Sequence, residues 1–100
     1  MNKPMDLNDF LNQVVDESTF LAFARALADD RRASVEAETL RPSSPYGSEA
    51  RGWENVTIER FLDAAVSWAE DTELGKSQGI SEANPWKRFA VFLYCGKTYE

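Results

Sequence analysis

Between Thr57 and Asp71 the apolar residues keep a helical period. Ile58, Phe61, Leu62, Ala65, Val66, Trp68 and Ala69 stand at offsets 0, 3, 4, 7, 8, 10 and 11, and Glu59, Arg60, Asp63 and Ser67 fill the opposite side. Residues three and four apart share a helix face, so the spacing lays down one broad apolar stripe. A strand would alternate every second residue and fits none of it. Thr57 is well placed as N-cap, because its hydroxyl can accept from a backbone N–H of the first turn. A helix is expected near 57 to 70.

The same period recurs on both sides. Leu7, Phe10, Leu11 and Val14 follow Asp6 or Asn8 as candidate caps, which predicts a first helix near 6 to 15. After Ser18 as cap, Phe20, Phe23, Ala24, Leu27 and Ala28 predict a second near 18 to 38, with Arg25, Asp29, Arg32 and Glu36 as an alternating-sign outer ladder. Asn84 as cap and Pro85 at the first helical position open a fourth near 85 to 95, with Trp86, Phe89, Ala90, Leu93 and Tyr94 as its stripe and Gly96 as its stop. Val91 and Phe92 lie off that stripe, so this helix is apolar nearly all round and suits either a central position or a dimer seam.

No run of useful length has period two, and no Asn-Gly or Asp-Gly turn joins two apolar segments. The expected fold class is all-α: a compact bundle of about four helices forming a single domain over 1–100. At 11.3 kDa, folding would reduce about 16,400 Å² of accessible surface to about 5,700 Å², enough to build a core. Phe61, Leu62, Trp68, Phe89 and Leu93 are expected in that core. One long loop, about 41–56, separates the second and third helices, and Tyr46, Trp53 and Val56 are expected to pin it.

What is missing bears on function. The chain has no histidine, which removes histidine-based triads, His-containing metal sites and the one side chain that titrates near neutrality unperturbed. Cys95 is the single cysteine, so neither an internal disulfide nor a thiolate zinc site can form. Its place at the end of an apolar helix disfavours the thiolate and marks it as a structural thiol. The opening MNKPMDLNDFLNQ has no long apolar run, and a cytoplasmic protein is expected. A net charge of −6 argues against nucleic acid and anionic membrane, and matches a basic protein partner. No catalytic residue, cofactor or metal ligand is assigned.

Several side chains remain candidates for a surface that binds an anion or a partner. Trp68 and Trp86 fall within helical stripes and read as core; Trp53 is left between anchoring the loop and touching a ligand. Glu59 and Asp63 share a helix face but point to solvent, and Asp29 and Asp30 lack the spacing of a calcium loop and read as surface charges. Glu70, Asp71 and Glu73 crowd the end of the third helix, while Lys87 and Arg88 sit in the first turn of the fourth, so both groups oppose their own helix dipole. Mutual ion pairing would explain them. Otherwise Lys87, Arg88 and the free N–H groups beyond Asn84 offer an anion site, or the acidic cluster receives a basic partner.

The stretches SSPYG, GWENVTIERFLDAAVSWAED and NPWKRFAVFLYCGKTYE carry a fingerprint. Trp53, Asn55, Thr57, Ile58, Phe61, Leu62, Ala64, Ala65 and Trp68 are followed by Asn84, Pro85 and Trp86 and by a closing Gly96, Lys97, Tyr99 and Glu100. In these residues the chain, over about 20–100, resembles a family of small bacterial proteins known only as a domain of unknown function. The resemblance implies one bacterial domain and carries no activity, ligand or catalytic residue with it. A non-catalytic interaction module of immunity or regulatory type is therefore expected, with a small-ligand or anion-binding domain as the alternative and the oligomeric state open.

Overall fold

A computed structural model describes residues 5–99; the first four residues of the expected domain and Glu100 of the closing motif lie outside it. Four α-helices follow one another: α1 (Leu7–Asn12), α2 (Glu17–Leu40), α3 (Ile58–Asp71) and α4 (Pro85–Thr98). Short 3-10 turns stand at Ala50–Gly52, Lys76–Gln78 and Ile80–Glu82, and no strand occurs among the described residues. The all-α bundle read from the sequence is the fold.

Each helix starts where a polar side chain satisfies its first free N–H groups. Asp6 and Asp16 close capping boxes with Asp9 and Thr19, Thr57 accepts from the Arg60 N–H, and Asn84 accepts from Lys87 N ahead of the ring of Pro85. Asp16 therefore caps α2, in place of the expected Ser18. Helix α1 ends at Asn12 and does not reach 15, because Val14 leaves the helical path to enter the core, where it is fully buried.

The expected stop at Gly96 is a correction of another kind. Helix α4 runs on to Thr98, and a Cβ built on Gly96 would lie 2.8 Å from the Phe61 carbonyl oxygen. Gly96 is there to let α3 and α4 approach. Gly75 is constrained twice, by a φ of +70° and by Ile80 2.8 Å from where its Cβ would be.

Helix α4 is the centre of the arrangement, packing along α3 and also against α1 and α2, whereas α2 and α3 scarcely meet. Leu11, Val14, Phe23, Leu27, Trp53 and Ala90 are buried together, with Phe61, Val91, Leu93 and Tyr94 packed on them. Trp68 is buried as expected, but Leu62 and Phe89 are not core residues, being 47% and 53% exposed. Trp86 is also partly on the surface, at 39%. For Leu62 the reason is the gap between α2 and α3, whose open groove it lines; Phe89 and Trp86 meet Phe20 of α2, and Phe89 is left open at a separate cleft with Leu74, Pro85 and Phe92.

The result is a slab of 41 × 38 × 20 Å with an accessible surface of 6893 Å². That is roughly 1,200 Å² more than the area scaling gives for a chain of this mass. No helix among the described residues is long and apolar enough to cross a membrane.

Candidate functional site

On the inner stripe of α2 the buried residues are Phe23, Leu27, Asp30 and Ser34, so a carboxylate occupies a core position. Asp30, read from sequence as a surface charge, is 7% exposed. Its Oδ2 accepts from Trp53 Nε1 at 2.9 Å and from Lys97 Nζ at 2.8 Å, and its Oδ1 accepts from Arg51 Nε at 2.6 Å. Burial is the largest single influence on this carboxyl and resists ionisation. The hydrogen bonds from Lys97, Arg51 and Trp53, with the charge of Lys97, outweigh it and hold the group below the ordinary aspartate value.

Trp53 is only 4% exposed, which places it as the anchor of the loop. Lys97 Nζ and the Arg31 guanidinium each stand 5.5 Å from its ring centroid, and Phe61 stacks on it at 6.1 Å. Arg31 is itself held by Glu49 Oε1 at 2.9 Å. Two turns further along α2, Glu38 accepts from Ser43 and from the Ala50 N–H; these hydrogen bonds, those from Ser43 first, lower its pKa. Past Trp53, the N–H groups of Glu54 and Asn55 donate to the Lys97 carbonyl, and Asn55 Nδ2 donates to the Gly96 and Tyr99 carbonyls. The loop thus ties α2 to the last turn of α4. Tyr46, expected as a further pin, is 97% exposed. Arg51 accepts a left-handed φ of 63° here, a conformation its tie to Asp30 helps to hold.

In this node the charged groups answer one another, and its chemistry is that of a fastener. The remaining sequence candidates are dispersed. Lys87 Nζ donates to the Leu11 and Asn12 carbonyls at 2.7 and 3.1 Å, closing the end of α1, and burial draws its pKa down. Asn84, besides capping α4, donates to the Val15 carbonyl. Arg88 lies by an apolar cleft of Leu74, Pro85, Phe89 and Phe92, its Nε buried without a hydrogen-bond partner. Asp71 accepts from the Tyr99 hydroxyl at 2.6 Å, which raises the Tyr99 pKa; Glu73 pairs with Lys76 at 3.6 Å, and Glu70 is exposed.

Among the described residues no ion pair joins Lys87 or Arg88 to Glu70, Asp71 or Glu73, so the expected neutralisation between the two helix ends does not occur. Lys87 is turned instead to the free carbonyls of α1, a third helix end. Nor is Trp53 near Lys87: it meets Lys97, which lies about 15 Å further along α4 at 1.5 Å per residue. Burial pushes the Cys95 thiol up to about 11, in keeping with a structural thiol.

What the structure does gather is apolar. The space between α2 and α3 is an open groove of about 410 Å³ walled by Ala24, Leu27 and Ala28 on one side and Ile58 and Leu62 on the other, with Leu93 of α4 contributing. Ile58, Leu62 and Val66, at i, i+4 and i+8 on α3, form a ridge that is 78%, 47% and 45% exposed. On α2, Leu21 and Val35 lie seven residues to either side of Ala28 and are 55% and 47% exposed. Phe89, one turn from Leu93, rests against Phe20 at 5.4 Å and Phe92 at 6.0 Å, and Phe20 in turn meets Trp86 at 5.6 Å. Sequence reasoning placed Leu62 and Phe89 inside; the all-round apolar character of α4 was the available signal that a second face needs covering.

No curated protein and no solved structure matches the chain. Residues 16–100 match a family of unknown function, DUF7660, so that the match begins at the N-cap of α2 and takes in the Asp30 node and both walls of the groove. The chain belongs to that family.

Proposed function

We propose that the chain is a non-catalytic protein–protein interaction module of regulatory or immunity type, which holds a helical polypeptide segment on the face formed by α2, α3 and α4. The exposed Ile58–Leu62–Val66 ridge beside an apolar groove is the observation that carries the reading. Contiguous apolar surface on a small domain is costly unless something covers it. A groove between two helices suits an amphipathic helix, whose apolar residues repeat at the spacing of the walls, and the small side chains Ala24 and Ala28 permit close approach. The Asp30 node supports this role indirectly by fixing the loop that leads into α3.

The net charge of −6 adds a preference for partners with basic flanks. The acidic cluster adds less than the sequence suggests, because Asp71 and Glu73 already have partners within the chain. Affinity capture with the wild-type chain and with Leu62→Glu tests the proposal. A stoichiometric polypeptide held by the wild type and by Leu40→Glu, but lost from Leu62→Glu, is expected; identical capture by all three would remove the face from consideration.

A further inference from the structure

We infer that the cleft between the end of α3 and the first turns of α4 binds a small apolar carboxylic acid, its carboxylate held by Arg88 and its apolar body lying among Leu74, Pro85, Phe89 and Phe92. This cleft shares no residue with the α2–α3 groove and is independent of the reading given above.

Arg88 is the ground for it. Its Nε is the one buried side-chain nitrogen or oxygen among the described residues that lacks a hydrogen-bond partner. Buried polar groups are nearly always paired, so such an orphan calls for an acceptor from outside the chain. Carboxylates are not scarce: the chain has 17 acidic side chains against 11 basic ones, and Glu70, Asp71 and Glu73 stand at or just past the neighbouring end of α3. Yet no described residue forms an ion pair with Arg88. Asp71 and Glu73 are engaged with Tyr99 and Lys76, and Lys87 beside it is engaged with α1. The half-buried arginine therefore lies on an apolar wall with its charge unanswered.

The walls define the rest of the ligand. Four of the five lining residues are apolar, around a space of about 330 Å³, the size of a small-molecule site. The Phe89 and Phe92 rings stack with centroids 6.0 Å apart, which suits an aryl body. Arg88 supplies the single charge, so complementarity asks for one anionic group, and a planar guanidinium matches a planar carboxylate. A peptide fits less well, because Arg88 is the only polar side chain on these walls to meet its amide groups. Glu73 and Leu74 also hold left-handed φ values of 51° and 56°, and Leu74 lies at the cleft. Strain of this kind gathers at ligand sites.

Isothermal titration calorimetry of the whole chain with phenylpropionate tests the inference, with phenylpropanol as its neutral counterpart. Saturable one-to-one binding of the acid with a Kd of about 1 mM or tighter is expected. The alcohol should bind about tenfold more weakly, since it forgoes the charge-assisted hydrogen bonds. Arg88→Met should lose the acid by the same factor while the far-UV circular dichroism is kept, and should hold the alcohol as the wild type does. In the isotope-labelled wild type, the amides of Leu74, Phe89 and Phe92 should shift with the acid more than those of α1; this map decides the matter if the variant does not fold. No saturable binding up to about 10 mM, beyond the weak end of specific affinity, would overturn the inference. So would equal affinity for acid and alcohol, an Arg88→Met variant that binds the acid as the wild type does, or shifts confined to another face.

Discussion

Trp53 donates its indole N–H to the Asp30 carboxylate across a sequence separation of 23 residues, and both side chains are more than nine-tenths buried. The contact joins the middle of α2 to a loop whose next residues bond the last turn of α4. Two long helices and the entry to α3 are thereby referred to one carboxylate.

Asp30→Ala should accordingly be among the most damaging single changes. It leaves Lys97, whose side chain is 12% exposed, without its buried counter-ion, and it releases Arg51 and the Trp53 indole. Breaking such a pair costs about 3–5 kcal/mol. Equilibrium urea unfolding measures it, and a loss below about 1 kcal/mol, the scale of an exposed pair, would show that the node is not buried as described.

The same carboxyl contributes to the acid limb of stability, alongside Asp16 and Glu38, whose pKa values are also lowered by hydrogen bonds. Its folded pKa lies below its unfolded value, so the unfolded chain takes up the proton first and stability rises with pH through this range. The contribution is complete above the unfolded value of about 3.9 and is lost as pH falls through it towards the folded pKa. Thermal unfolding followed from pH 7 to pH 3 should fall along this limb, and Asp30→Asn should flatten it. An unchanged limb in that variant would assign the effect elsewhere.

Gly96→Ala separates two readings of one residue. As an interior helical position, alanine would be favoured by about 1 kcal/mol. As a close approach, the added methyl meets the Phe61 carbonyl oxygen at 2.8 Å, and overpacking costs about 1–3 kcal/mol. The expected outcome is net destabilisation, read from chemical denaturation; a more stable variant would mean that the α3–α4 contact has room.

Lys87→Met should free the Leu11 and Asn12 carbonyls and loosen α1. A charged hydrogen bond of this kind contributes about 1–3 kcal/mol. Amide exchange should accelerate within Leu7–Asn12 more than within α3. Uniform acceleration would imply that Lys87 supports the whole fold. Glu70→Gln, at an exposed site, should change stability by less than about 0.5 kcal/mol.

These outcomes depend on residues that the sequence exposed unequally. Helices α3 and α4 were legible because caps at Thr57 and Asn84 coincide with clear 3.6-residue stripes. Asp30 was not, since a carboxylate is assigned to solvent by default even though it continues the Phe23–Leu27 stripe at the next turn. Gly96 read as a terminator because close approach depends on Phe61, 35 residues away in the chain. Leu62 and Phe89 fit the period of a core; the separation of α2 from α3 leaves Leu62 open, and Phe89, beside Phe20, is left open at the cleft it shares with Leu74, Pro85 and Phe92. Lys87 and the acidic cluster looked complementary in sequence, but nearer carbonyls of α1 take the lysine.

The central claim is that the α2–α3–α4 face is the contact surface of this protein. Site-specific photo-crosslinking in cells tests it most directly, with a photoreactive residue placed at Leu62 and, as a control, at Leu40, which is 87% exposed. A single discrete adduct from Leu62 and none from Leu40 is the result this account predicts. No adduct from Leu62, or the same adducts from both positions, would contradict it.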